Sequence, residues 1–160
     1  MSEDFPDSDE FQDPLKNYEP RKYDDPLEQA LVEEEIGTIR HEPFATISPE
    51  TPVHEAVSKL AGLHIACLLV AEKERLVGVL SDRDVLSKIA FEYEDIKNRP
   101  VRDFMTDDPI YVNETDSAVS ALSVMASCGY RHVPVVDLND NLVGIISPQR
   151  VTDFLMRNAN

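Results

Sequence analysis

Residues 76–81 of this 160-residue chain read LVGVLS, and residues 142–147 read LVGIIS. Around these two stretches the pattern of apolar residues also repeats, over residues 46–89 and residues 110–156. Two copies of one supersecondary unit usually bury their apolar faces against each other and form ligand clefts between them. The repeat therefore predicts one compact unit with a shared core, and it predicts that any ligand lies between the copies.

The apolar pattern changes period in the same order in both copies. After a short strand near 45–47, helical spacing at 53–60 gives way to an apolar strand at 65–70, a polar turn, a second strand at 76–80 and a helix at 82–93. The second copy repeats this order at 118–125, 131–136, 142–147 and 148–157. The sequence therefore predicts an α+β fold made of two β-α-β-β-α repeats.

The N-terminal part of the chain is strongly acidic. Residues 1–43 hold 14 Asp or Glu against 4 Lys or Arg, whereas residues 44–160 hold 17 against 11. We expect residues 1–35 to form an acidic, partly disordered extension, with a short helix near 26–35 that begins at the Asp25-Pro26 cap. This charge argues against nucleic acid or an anionic membrane surface as the main partner, since both attract basic patches.

No segment of the chain has the basic, then apolar, then small-residue order of a secretion signal, and no apolar run approaches the length of a membrane span. We therefore expect a cytoplasmic protein. Cys67 and Cys128 occupy unmatched places in the two copies, which favours small buried hydrophobes over a disulfide or redox pair.

Four motifs resemble those of a tandem pair of cystathionine-beta-synthase (CBS) domains, often called a Bateman module. They are SPETP at 48–52, GVLSDRD at 78–84, VRDFM at 101–105 and RHVPVV at 131–136. The resemblance covers roughly residues 36–157, with repeat 1 at 36–94 and repeat 2 at 95–160. It implies a pseudo-twofold between the repeats, sheets packed together with helices outside, and a homodimer that forms through the helices.

The segment 78–84 has its own chemistry. A buried strand ends at Leu80, Ser81 stands where a helix N-cap belongs, and Asp84 falls three residues later. A carboxylate at this place can accept hydrogen bonds from two neighbouring sugar hydroxyls. The alternative is a capping box, with Asp in place of the usual Glu or Gln, that only stabilises the helix. The resemblance favours the first interpretation, because in this family the Ser or Thr and the Asp hold the ribose of an adenosine nucleotide.

The second copy keeps Gly144 and Ser147 but has Arg150 where the first has Asp84. A cation in the first turn of a helix opposes the macrodipole, and a nearby anion would cancel that cost. We therefore expect one ribose-competent site on repeat 1 and a weak or empty second site. Arg150 either reaches across the pseudo-twofold to a phosphate bound at the first site, or only extends its charge into solvent.

Other candidate ligand residues follow from their positions. Arg131 and His132 begin the second strand of repeat 2, where family members often place basic side chains against phosphates, and Arg83 lies in the ribose segment itself. Arg83 could equally pair with an acidic residue of its own helix. Apolar walls for the adenine base are expected from five residues, for each of which core packing is an equal alternative: Ile39, Thr46, Ile65, Cys67 and Leu68.

No motif in the sequence is organised for catalysis. The sequence contains no Gly-rich phosphate loop, nucleophile elbow or paired metal ligands. His41, His54 and His64 have no partner at the spacing of a metal or catalytic site. The favoured hypothesis is a non-catalytic regulatory module that senses AMP, ATP or a related adenosyl compound such as S-adenosylmethionine and signals to a protein partner. The alternative is a structural dimerisation or interaction module with a vestigial ligand site. A small hydrolase is a third possibility, for which no residues can be assigned.

Overall fold

The computed structural model describes residues 19–39 and 41–159. The disorder expected of the acidic tail falls largely on residues 1–18, which lie outside the described residues. The first helix, α1, spans Pro26–Glu33, and the Asp25 side chain caps it by accepting a hydrogen bond from the Glu28 N–H at 2.7 Å. Helix α1 packs on the helices of the second repeat, and Ala30 is buried there.

The first repeat contains a four-stranded sheet in the order β1-β2-β3-β4. Strand β1 is parallel to β2, whereas β2, β3 and β4 are successively antiparallel. Helix α2 packs against β2 and contributes Val53, Ala56 and Leu60 to the core of this repeat. The elements are β1 (Thr46–Ile47), α2 (Val53–Leu63), β2 (Cys67–Glu72), β3 (Arg75–Ser81) and β4 (Thr106–Asp107).

The helical segment after β3 is not the single continuous helix that the sequence predicts. Helix α3 is the short turn Asp82–Asp84, a π-helical turn follows at Val85–Ile89, a 3-10 turn at Ala90–Glu92, and α4 ends the segment at Tyr93–Ile96. One π turn barely changes the spacing of apolar residues, so the sequence pattern could not distinguish it from an α-helix.

The second repeat contains a three-stranded sheet in the order β5-β6-β7. Strand β5 is parallel to β6, and β6 is antiparallel to β7, as in the first repeat. Helix α6 is a regular α-helix, unlike its counterpart after β3. The elements are β5 (Val112–Asn113), α5 (Ala118–Cys128), β6 (Val133–Val136), β7 (Leu142–Ile146) and α6 (Pro148–Asn158).

The segment that precedes each repeat crosses to the sheet of the other repeat. Strand β4, which leads into repeat 2, pairs with β3, and the carbonyl of His41, which leads into repeat 1, accepts a hydrogen bond from Ile145 N–H of β7 at 2.9 Å. Both crossings pass over a glycine. A Cβ added at Gly78 would lie 3.0 Å from the Thr106 carbonyl oxygen, and one added at Gly144 would lie 2.7 Å from the His41 carbonyl oxygen. Only glycine allows these close approaches.

Buried apolar side chains form one core in each repeat and a third cluster between the sheets. The core of repeat 2 includes Ile36 and Ile39 from the N-terminal segment, both fully buried. The cluster between the sheets is formed by Cys67, Leu69, Val79, Leu142 and Ile145. The predicted α+β fold, with two repeats whose sheets pack together, is confirmed. Within the described residues, no helix has the length and apolar character needed to cross a membrane.

Candidate functional site

Ser81 and Asp84 form a complete capping box at the end of β3. Ser81 N–H donates to Asp84 Oδ2 at 2.9 Å, and Asp84 N–H donates to Ser81 Oγ at 3.3 Å. The Ser81 hydroxyl also donates to Asp84 Oδ2 at 3.0 Å. The structural alternative considered from the sequence is therefore present in the molecule. A capping box does not exclude a ligand, because each carboxylate oxygen can accept more than one hydrogen bond.

The second oxygen of Asp84 is held from two other directions. Thr106 Oγ1, on β4, donates to Asp84 Oδ1 at 3.1 Å, and the Lys88 ammonium lies 2.9 Å from the same oxygen. Asp84 is 6% exposed, and it is the one charged residue among the buried side chains of the described part of the chain. Burial raises the pKa of this carboxyl, but the hydrogen bonds from Lys88 and Ser81 outweigh it and hold the pKa below its usual value.

Sequence reasoning missed Lys88 as a member of this cluster. Its side chain comes from the π turn, donates to the Phe104 carbonyl at 3.1 Å and is 42% exposed. The signal was present in the sequence, because Lys88 follows Asp84 by four residues, the spacing at which side chains meet on one helix face. Thr106 could not be found in this way, since it reaches Asp84 only because β4 crosses over β3.

His132 of repeat 2 lies within electrostatic range of the capping turn of repeat 1. The half-buried His132 interacts electrostatically with Arg131 and Arg150 and also with Asp82, which follows Ser81. Burial lowers the pKa of His132, the two arginines lower it further, and Asp82 opposes them. An anion bound here would meet a cluster of positive charge in an otherwise acidic chain.

Arg150 is held by backbone carbonyls. Its Nη1 donates to the Ile145 carbonyl at 2.7 Å, and its Nη2 donates to the Pro43 carbonyl. Its N–H also lies 3.4 Å from Ser147 Oγ, so the serine cap is kept in the second repeat while the carboxylate is replaced by a cation. The guanidinium therefore fastens the segment that crosses onto β7.

The five expected base walls lie in different surroundings. Ile39 is fully buried in the core of repeat 2, Leu68 is fully buried in that of repeat 1, and Ile65 packs against the latter. Cys67 belongs to the cluster between the sheets and lies within electrostatic range of Asp84. Burial, followed by the charges of Asp84 and Asp82, raises the pKa of the Cys67 thiol to about 12. Thr46 is exposed.

A cleft of about 620 Å³ lies between the repeats, and Thr46 is the one predicted residue that lines it. The other walls come from β1, from the β2–β3 turn at Glu74 and from the β6–β7 turn at Asp137 and Asn141. Since Cys67 pairs with Ser81 while Glu72 pairs with Arg75, this cleft lies toward the opposite end of the sheet from the capping box. Arg83 is exposed, and its N–H donates to Asp82 Oδ1.

Comparison with known proteins identifies the repeat. The family model of the CBS domain matches residues 34–91 and, separately, residues 101–157. YhcV, a CBS domain-containing protein of Bacillus subtilis, is 33% identical over 103 residues, which cover 64% of this chain and 72% of YhcV. For six other relatives, the matched residues cover only 18% to 60% of the relative's length.

Two solved structures show the same fold. The crystal structure of CBSX2 in complex with AMP superposes with a TM-score of 0.70 and 24% identity, covering 79% of this chain and 98% of CBSX2. The CBS domain pair of protein MJ0100, in complex with 5′-methylthioadenosine and S-adenosyl-L-methionine, superposes with a TM-score of 0.66 and 21% identity, covering 75% and 98% of the two chains.

Proposed function

This chain belongs to the CBS domain family, and from that premise we propose that it is a non-catalytic regulatory module that binds an adenosine nucleotide between its repeats. One observation carries the proposal: a buried, ionised carboxylate, Asp84, lies in the capping turn of repeat 1, and His132 of repeat 2 lies within electrostatic range of Asp82 in the same turn. The AMP-bound CBSX2 structure and the S-adenosylmethionine-bound MJ0100 pair support an adenosyl ligand.

In the proposed complex the two ends of the ligand meet different repeats. The ribose hydroxyls donate hydrogen bonds to the Asp84 carboxylate, and a phosphate accepts charge-assisted hydrogen bonds from Arg131 and His132. AMP and ATP provide both ends. S-adenosylmethionine provides the ribose but carries a sulfonium in place of phosphate, so it would gain less from the cationic residues.

We propose a single strong site. The corresponding place in repeat 2 has Arg150, which donates hydrogen bonds to the carbonyls of Ile145 and Pro43 and offers no acceptor to a ribose. A ligand that bridges the two repeats favours one relative arrangement of their sheets, and this is the signal that a partner would detect.

A homodimer through the outer helices is part of the same proposal. Several large apolar side chains are exposed on the outer helical elements, which supports a partner surface there. They include Leu63 at 52%, Leu86 at 68%, Phe91 at 97% and Met156 at 68% exposure.

A second candidate function is a structural dimerisation or interaction module with a vestigial ligand site. Its specific support is that protein donors already surround the Asp84 carboxylate: Ser81, Thr106 and Lys88. On this view the carboxylate serves only to fasten β4 and the helix after β3.

Titration calorimetry with AMP, ATP and S-adenosylmethionine separates the two functions. We expect Asp84→Asn, which keeps the size of the side chain, to abolish binding of all three, while Arg131→Ala weakens AMP and ATP but leaves S-adenosylmethionine nearly unchanged. Ser147→Ala, at the place in repeat 2 that corresponds to Ser81, is the control and should bind as the unmodified protein does. Flat titrations of the unmodified, folded protein with all three compounds would support the structural module instead.

A further inference from the structure

Four protein donors fill the acceptor positions of the Asp84 carboxylate. Oδ2 accepts from the N–H and the hydroxyl of Ser81, and Oδ1 accepts from Thr106 Oγ1 and from Lys88 Nζ. A carboxylate offers about four lone-pair directions. A ribose diol that binds Asp84 must therefore displace at least one of these donors.

The four donors differ in how easily they can leave. The two from Ser81 belong to the capping box, and Thr106 is held in β4 by its pairing with β3. The Lys88 side chain is 42% exposed and flexible, and its other contact is the Phe104 carbonyl. Water can solvate its ammonium once it leaves, so Lys88 is the donor that is displaced at the lowest cost.

We propose that Lys88 is a specificity-determining residue that competes with the ligand's ribose hydroxyls for Asp84. The inference rests on the proposed function, because it takes the ribose to bind at Asp84. The ion pair between Lys88 and Asp84 then weakens ribose binding. A ligand binds only when the free energy of its other contacts exceeds the free energy that is lost with this ion pair.

The competition has a characteristic salt dependence. Salt screens the partly exposed ion pair between Lys88 and Asp84, so it frees the carboxylate for a neutral competitor. Adenosine carries the ribose diol and no charge, so its own contacts are little affected by salt. We therefore expect adenosine to bind more tightly as ionic strength rises from about 0.05 M to about 0.5 M.

The test is equilibrium binding of adenosine to the unmodified protein, to Lys88→Met and to Lys97→Met at low and high salt. Methionine keeps the length of the stem without the charge. Lys97 forms a comparable ion pair with Glu94 at a place that the site does not include, so it is the matched control. We expect Lys88→Met to lower the adenosine Kd about threefold or more at low salt and to remove the salt response, with Lys97→Met unchanged.

The possible failures are distinguishable. If the unmodified protein binds adenosine through Asp84, as shown by loss of binding in Asp84→Asn, but Lys88→Met binds no more tightly, the competition is refuted and the ribose site remains. If neither AMP nor adenosine binds the unmodified protein or a folded Lys88→Met, both the competition and the proposed function are refuted. The salt response of the unmodified protein needs no variant, so it tests the competition even if Lys88→Met does not fold. Adenosine binding that does not tighten as ionic strength rises would refute the competition.

Discussion

Asp84 and Arg150 stand at the same place in the two repeats, and each fastens the segment that crosses in from the other repeat. Asp84 accepts a hydrogen bond from Thr106 on β4, and Arg150 donates one to the carbonyl of Pro43. Opposite charges thus perform one structural task, because the first crossing segment presents a hydroxyl donor and the second a carbonyl acceptor. The asymmetry of the proposed ligand site follows from this exchange.

Arg150→Met should destabilise the protein. It leaves the carbonyls of Pro43 and Ile145 without their charged donor, and hydrogen bonds to charged groups contribute about 1.5–3 kcal/mol when buried. Arg150 is partly exposed, so we expect a loss near the lower end, about 1–2 kcal/mol, in urea unfolding. Arg157→Met on the same helix is the control. Arg157 donates only a long hydrogen bond, 3.5 Å, to the Thr38 carbonyl, so this substitution should lower the free energy of unfolding by less than about 0.5 kcal/mol. Equal losses in both variants would contradict a fastening role for Arg150.

Gly144→Ala should also destabilise the protein, by about 1–3 kcal/mol, because its Cβ would press on the backbone of the crossing segment at His41. The control is Gly62→Ala. Gly62 lies in α2 with no atom near the position of an added Cβ, so alanine there should stabilise by up to about 1 kcal/mol through helix propensity. Chemical denaturation measures both, and an unchanged free energy of unfolding in Gly144→Ala would show that the crossing is loose.

The lowered pKa of His132 predicts that stability falls in mildly acidic solution. Below about pH 6.5 the unfolded chain takes up a proton at this residue while the folded protein resists it, because His132 is partly buried and faces Arg131 and Arg150, with Asp82 opposing them. The unfolded state then binds more protons, so stability decreases as pH falls, by at most about 1.4 kcal/mol per pH unit.

His132→Gln should remove this contribution. The difference in free energy of unfolding between the unmodified protein and the variant, measured between pH 7.5 and pH 5, isolates it from other groups. His54→Gln serves as the comparison on a residue of repeat 1. A constant difference across this range would contradict the lowered pKa.

The two cysteines should differ sharply in reactivity. Cys67 is buried with its pKa raised to about 12, whereas Cys128 is exposed at the end of α5. Because the thiolate is the reactive form, a thiol reagent at pH 8 should modify one thiol per folded chain and two after denaturation. In Cys128→Ser the folded protein should not react. Rapid modification of Cys67 in that variant would show that the sheets separate readily.

The packing of the two sheets was implied by the family resemblance. The two β-α-β-β-α units followed from the repeated pattern, because apolar side chains at periods of 3.6 and 2 indicate the helices, the strands and their buried faces. The pattern could not predict the π turn at Val85–Ile89, which leaves the apolar spacing nearly intact. The pattern also could not predict that Thr106 and Pro43 each contact the opposite repeat, since strand pairing over long separations in the chain leaves no local signal.

The candidate site was predictable to a similar extent. The Ser81 and Asp84 pair follows from a strand that ends at a cap, and the structure places Asp82 of the same turn within electrostatic range of His132. The occupation of Asp84 by Lys88 and Thr106 was not foreseen, because it depends on which donors meet in space. The fully buried positions of Ile39 and Leu68 follow from their place in the two cores, which the sequence had left as an equal alternative.

Because the segment that precedes each repeat packs on the other repeat, neither half of the sequence contains a complete fold. Residues 36–39 complete the core of the C-terminal half, and β4 completes the sheet of the N-terminal half. If the chain were cut near residue 98, each fragment would lack a part that the other carries, and reconstitution would require the two to find each other in solution. The covalent connection replaces that encounter with a high effective local concentration, so the interlaced pair can assemble even when the protein is dilute.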